Sequence, residues 1–139
     1  MTADTQTEPI VHERQLAASP ETVFGFFTDP EKATRWLAAE VTFDPRPGGV
    51  NLQTHVDDEG VRHLMRGRFL EVSPPSRVVW SWSFQEGGAD ASTVEITLEP
   101  RDGGTWLQLE HRDLPPAVRA DHEKGWDTLL DRLVAAVAA

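Results

Sequence analysis

Residues 115–139, PPAVRADHEKGWDTLLDRLVAAVAA, are the stretch on which the fold turns. Pro115-Pro116 marks a helix start, since proline is favoured at the first helical position. Val118, His122, Trp126, Leu129, Leu130, Leu133, Val134 and Val137 then recur on one face at helical spacing. At about 1.5 Å per residue, a helix of roughly 22 residues is about 33 Å long, enough to cross a whole sheet. One residue breaks the pattern. Gly125 sits in the helix interior directly before Trp126, where glycine costs about 1 kcal/mol relative to alanine. Two explanations compete. Either the gap leaves space above the sheet so that Trp126 roofs a cavity, which is the expectation adopted, or a strand approaches the helix so closely that only glycine fits.

Upstream of this helix the apolar period is two. The pattern predicts strands at 41–44, 50–56, 61–72, 77–84, 92–99 and 105–112, separated by the turns RPGG, DDEG, SPPS, EGGAD and RDGG. An earlier strand, IVHERQLA (10–17), precedes two short helices. Each helix opens on the same signal, Ser19-Pro20-Glu21 and Asp29-Pro30-Glu31, with a capping side chain, a proline and an acid in the first turn. The first runs through Phe24 and Phe27, and the second carries Arg35, Trp36 and Leu37. The order is therefore β-α-α-β6-α. An α+β arrangement, with a curved seven-stranded antiparallel sheet around the long C-terminal helix, gives every apolar face a partner.

Composition bounds the function. The 139 residues suit one domain, read here as 10–139 behind a flexible polar tail, MTADTQTEP (1–9), that has neither the basic nor the apolar region of a signal peptide. Thirteen Lys and Arg against 23 Asp and Glu give a formal charge of −10, which repels nucleic-acid phosphates and anionic membrane surfaces. The longest apolar run, LVAAVAA, is far short of the ~20 residues of a membrane span. With no cysteine, disulfides, thiolate metal sites and cysteine nucleophiles are excluded, and a cytoplasmic location is expected.

The chain also lacks the familiar catalytic motifs. HEKGW begins like the zinc motif H-E-x-x-H, but position 126 is Trp, so the second ligand is missing. The glycine pairs at 48–49, 87–88 and 103–104 fall between strands and are turns, not phosphate or dinucleotide loops. His55 and His63 flank DDEG as cross-strand neighbours; two histidines without a third ligand are read as polar strand residues, and no metal or other cofactor is expected. His111, in the parity of Leu107 and Leu109, and His122, one turn before Trp126, are candidates for a cavity acid or base. Their simpler role is hydrogen bonding within the packed interior. Trp80, Trp82 and Phe84 alternate on one strand and share a face, whereas Trp106 has the opposite parity to Leu107 and is assigned to the outer face.

Several segments together carry a family resemblance: SPETVFGFFTDPEKATRWL, RPGG, RGRFLEVSPPSRVVWSW, STVEITLEP, GGTWLQLEH and HEKGWDTLLDRL. In this order, across residues 10 to 135, the chain resembles the START-like (SRPBCC) superfamily, and within it the proteins named after the C-terminal domain of the activator of Hsp90 ATPase (the AHSA1 type). The resemblance implies a helix-grip fold with a cavity between sheet and long helix, used across the superfamily for lipids, polyketides and other largely apolar ligands. Two positions depart from the family pattern. Trp36-Leu37 stands where two successive tryptophans are usual, and Asn51 and Gln53 stand where alternate aromatics are usual. If Asn51 and Gln53 face the cavity, its wall is partly polar; alternation within the strand argues the reverse, because Val50, Leu52, Thr54 and Val56 form the more apolar face.

The reading is a domain that reversibly binds a small, mostly hydrophobic molecule under the C-terminal helix. Trp36, Met65, Phe69, Trp80, Trp82, Trp126 and Leu130 are expected as apolar wall, Gly125 as the gap, and Asn51, Gln53, His63, His111 and His122 as polar anchors. Two alternatives remain open. One is a polyketide cyclase or aromatase-like enzyme moving a proton with a cavity His or Glu, although no catalytic constellation is assembled. The other is a chaperone-interaction module, which needs a shaped exposed patch. A monomer or weak homodimer is expected.

Overall fold

A computed structural model describes residues 8–84 and 91–139. The elements are β1 (Ile10–Leu16), α1 (Pro20–Gly25), α2 (Pro30–Ala33), β2 (Glu40–Phe43), β3 (Val50–Val56), β4 (Arg62–Ser73), β5 (Arg77–Trp82), β6 (Ser92–Arg101), β7 (Gly104–Arg112) and α3 (Pro116–Ala138). The strands form one antiparallel sheet in the order β1-β7-β6-β5-β4-β3-β2. This is the α+β arrangement expected from the pattern, the helix-grip fold that the resemblance implies. The turn EGGAD and most of the N-terminal tail lie outside the described residues.

Both short helices are capped as their sequences direct. Ser19 and Asp29 accept from the backbone N–H of Thr22 and Glu31, and a proline follows each. The second helix is shorter than expected, however: Arg35, Trp36 and Leu37 lie beyond its end at Ala33. There the chain tightens into turns, with the Arg35 and Trp36 amides donating three residues back to Lys32 and Ala33. This turn drives Trp36 into the core, where its indole N–H donates to the Phe26 carbonyl at 3.0 Å.

The sheet curls where β4 changes partner. Its first half pairs with β3 and its second half with β5, with a bulge between Phe69 and Glu71. Gly67 sits at the bend, and a Cβ there would run into the Ser81 carbonyl, so the close approach of the two strands requires glycine. Strand β5 ends at Trp82 instead of reaching Phe84, although Ser83 still bridges to Arg66.

Helix α3 lies across the concave face and buries Trp126, Leu130, Leu133 and Val137, with Val118, Leu129 and Val134 packed at the edges of the core. Arg14 of β1 pins it from the side by ion pairs to Asp127 at 2.6 Å and Asp131 at 3.3 Å. The convex face is polar: Glu95 joins Arg77 and Arg112, and Trp106 lies there as expected, bonded to Glu13 under the Arg101 guanidinium. Among the described residues, no helix is long and apolar enough to cross a membrane.

Candidate functional site

The grip is filled at one end and open at the other. Met65, Phe69, Trp80 and Leu130 are completely or almost completely buried and pack into the central cluster with Phe27, Ile96 and Leu107. These four, expected as cavity wall, are solid core. Large side chains from helix and sheet share one buried cluster there.

Toward the N-terminal half of α3 the packing parts. A chamber of about 240 Å³ is lined by His55, Trp82, Phe84, Asp121, His122, Gly125, Trp126 and Leu129. It adjoins a groove of about 820 Å³ that runs between α3, the segment after α2 and the end of β3. His55, Asp121, Gly125 and Leu129 line both, so the chamber continues into the groove. The groove carries charge of both signs, Arg35, Lys124 and Arg132 with Asp57, Asp58 and Asp121, and Trp36 closes part of its floor.

Gly125 is the hinge of this geometry. A Cβ built there meets nothing within 4 Å, so the backbone is not pressed against a strand. The close-packing explanation therefore fails, and the gap faces open space. The rings around it brace one another: Trp82 stands 5.1 Å from Trp126 and 5.4 Å from Phe84, and His55 stands 5.5 Å from both Trp82 and Phe84.

The register of β3 turns its polar residues inward. Asn51 and Gln53 point inward and are buried, while Val50, Leu52 and Thr54 are half-exposed on the other side. They are not lining residues themselves. Gln53 Nε2 donates to Asn51 Oδ1 at 2.8 Å, and Gln53 Oε1 receives the Nε2–H of His55 at 2.9 Å. The inner face of β3 is thus a ladder of polar groups ending at His55, on the chamber wall. Burial lowers the His55 pKa to about 4, with the imidazoles of His122 and His63 adding to the effect. The ring is neutral at pH 7, and with Nε2–H committed to Gln53, Nδ1 is the acceptor.

The other two inner histidines are tied into the wall. His111 lies behind the chamber: its Nδ1 accepts from the Trp126 indole N–H at 2.8 Å, and its Nε2–H faces the Ser92 hydroxyl at 2.7 Å. That hydroxyl in turn donates to the Trp82 carbonyl. Burial lowers the His111 pKa to about 3, with the imidazole of His122 adding to the effect. His122 borders the chamber, donating from Nδ1 to the Val118 carbonyl at 2.9 Å and accepting at Nε2 from the Trp82 indole at 3.2 Å. Each of these histidines fixes an indole, so the packing role describes them better than proton transfer.

His63 is misplaced as a cavity anchor. It is the cross-strand partner of His55, yet its side chain is 48% exposed and turns to Asp57 at 2.9 Å. Asp57 also caps the amides of Glu59 and Val61, so the hairpin tip organises itself and draws His63 outward. Among the described residues no group of three or more His, Asp or Glu is placed to hold a metal ion.

Of the expected lining, Trp82, His122, Gly125 and Trp126 meet at the chamber and Trp36 at the groove. His55, Phe84, Asp121 and Leu129 were missed as cavity residues. The signal was present: His55 shares the parity of Asn51 and Gln53, Phe84 that of Trp80 and Trp82, and Asp121 and Leu129 stand one turn either side of Gly125.

A grip sheet, a long terminal helix and a cavity between them define a START-like domain. The sequence profile described as "Activator of Hsp90 ATPase homolog 1-like protein" matches residues 17–138. The chain belongs to that family. It is 28% identical over 111 residues to the human protein "Activator of 90 kDa heat shock protein ATPase homolog 1", covering 78% of this chain but only 30% of that one. The chain thus spans under a third of the curated relative's length. Among solved structures, protein CV1439 from Chromobacterium violaceum superposes with a TM-score of 0.87 at 29% identity, covering 96% of this chain and 99% of that one. DynU16, from the dynemicin biosynthetic locus, shares the fold with a TM-score of 0.81 at 19% identity, covering 96% of this chain and 48% of that one.

Proposed function

We propose that the protein reversibly binds a small, mostly apolar molecule whose flat aromatic part enters the chamber beneath α3. The observation that carries this reading is the open space at Gly125, walled by Trp82, Phe84 and Trp126. A helix that places glycine at an unfilled gap, beside aromatic faces and a few polar groups, has the character of a ligand site. The chamber's 240 Å³ lies below the ~300–1,000 Å³ of pockets for drug-sized ligands, which favours one or two rings inside and the remainder in the groove. The fold shared with a protein of the dynemicin biosynthetic locus agrees with a small-molecule role.

A cyclase-like activity would fall to His55, the one chamber imidazole not wholly committed to the wall. Its lowered pKa makes it a weak base at neutral pH, so binding is the better-supported reading. The test is titration of the full chain with naphthalenes, fatty acids and polyketide-like phenols, read by indole emission. Saturable quenching by flat aromatics is expected. Saturation by none of the three classes would end the binding proposal.

A further inference from the structure

Resting on that reading, we infer that the chamber selects a neutral aromatic ligand bearing a hydrogen-bond donor, a phenol-type hydroxyl, which His55 Nδ1 receives. The ladder on β3 fixes the polarity of the site. Asn51 Oδ1 takes the Gln53 amide N–H, so Gln53 offers its carbonyl oxygen to His55, and His55 must meet it with Nε2–H. The ring nitrogen left over carries a lone pair. Among the described residues Nδ1 has no hydrogen-bond partner, and it is not a sealed interior atom, since Trp80 Nε1 is the orphan of that kind. His55 lines both the chamber and the groove, so a ligand passing from one to the other meets this side chain.

Among the described residues, the rest of the chamber disfavours other polar chemistry. Among the described residues of the chamber, His122 and the indole N–H groups of Trp82 and Trp126 are already bonded within the wall and offer no free donor to a carboxylate or a carbonyl, and the cations Arg35, Lys124 and Arg132 line the groove instead. Asp121 at the mouth opposes an anion further. An anionic group pushed among these rings would be buried without a partner, whereas a hydroxyl gives its proton to Nδ1 and leaves only aromatic surface to be covered.

A matched set of probes tests this on the full chain by calorimetry at pH 7: 2-naphthol, 2-methoxynaphthalene and 2-naphthoate. The ring system is constant and only the polar group changes. The expected order is naphthol first, roughly three- to ten-fold tighter than the methyl ether, as one net hydrogen bond supplies, with naphthoate weakest. His55→Phe keeps a ring in place and should erase the advantage of naphthol over the ether, whatever it does to the affinity of both. On the wild type, the ¹⁵N signal of His55 Nδ1 should shift when naphthol binds and stay when the ether does, which reads the contact without a variant. If the ether or naphthoate binds as well as naphthol, the donor selection is wrong while the chamber stands. If naphthol keeps its advantage in His55→Phe, another acceptor such as Asp121 is responsible and the inference falls. If none of the three binds, the chamber itself is not a ligand site.

Discussion

Replacing Gly125 with leucine separates a ligand chamber from a packing defect. The added Cβ meets nothing within 4 Å, so the substitution begins without a clash. Helix propensity improves by up to ~1 kcal/mol. The side chain enters a space of about 240 Å³ between Trp126, Phe84 and His55, where each methylene that leaves water adds up to ~0.8 kcal/mol. A gain near 1 kcal/mol in a domain of this size raises the melting temperature by roughly 3–5 °C. The same side chain occupies the room a ligand ring needs, so probe binding should be lost as stability rises. Gly125→Ala is the graded control: it takes the propensity gain but leaves most of the volume, and should be stabilised while still binding. Thermal melts and calorimetric titrations of the three proteins measure both effects. Overpacking would cost about 1–3 kcal/mol; a destabilised Gly125→Leu, or one that binds as tightly as wild type, would refute the reasoning.

Further expectations concern the wall. His55 and His111 have folded-state pKa values of about 4 and about 3 against 6.5 unfolded, so between these limits the unfolded chain holds more protons. Their contribution is complete above pH 6.5 and is lost as pH falls toward 3, with a slope of up to about 1.4 kcal/mol per pH unit for each. Urea midpoints between pH 7 and pH 5 should fall accordingly and fall less in His111→Gln; a flat profile would contradict the buried neutral rings. Trp126→Phe strands the His111 Nδ1 acceptor and should cost about 1–3 kcal/mol by urea denaturation, whereas an unchanged midpoint would remove that bond from the account. His63→Ala, at an exposed hairpin pair, should change stability by less than about 0.5 kcal/mol and leave probe affinity unchanged in the same titrations. Chelation should alter neither melting temperature nor probe binding, and a stoichiometric metal lost with stability would show that the histidines at the hairpin had been misjudged.

The fold was legible because two periods dominate the chain: two along the strands, and helical spacing from Val118 to Val137. Turn chemistry placed the boundaries within a residue or two, except where local tightening ended α2 before Arg35. The site was only half legible. Hydrophobic alternation on β3 favours Val50, Leu52 and Thr54 as the inner face, yet Asn51 and Gln53 are buried because they satisfy one another and His55. Single-residue patterning treats each amide as needing water; a ladder supplies its partners instead. Likewise no spacing distinguishes Trp80, which is solid core, from Trp82, two residues on, which borders open space. That difference is a tertiary fact: Trp82 reaches the open space at Gly125, and Trp80 does not. Gly125 is the exception, a single residue whose cost in a helix announced the gap.

Five tryptophans make the central claim directly measurable. Their indole N–H signals in a ¹H–¹⁵N correlation spectrum report separately on the chamber, the core and the outer face. Titrated with 2-naphthol, the signals of Trp82 and Trp126 should move together and saturate, while Trp80 in the core and Trp106 on the convex face stay fixed. Movement confined to Trp106, or no movement at saturating probe, would contradict a ligand chamber beneath the helix.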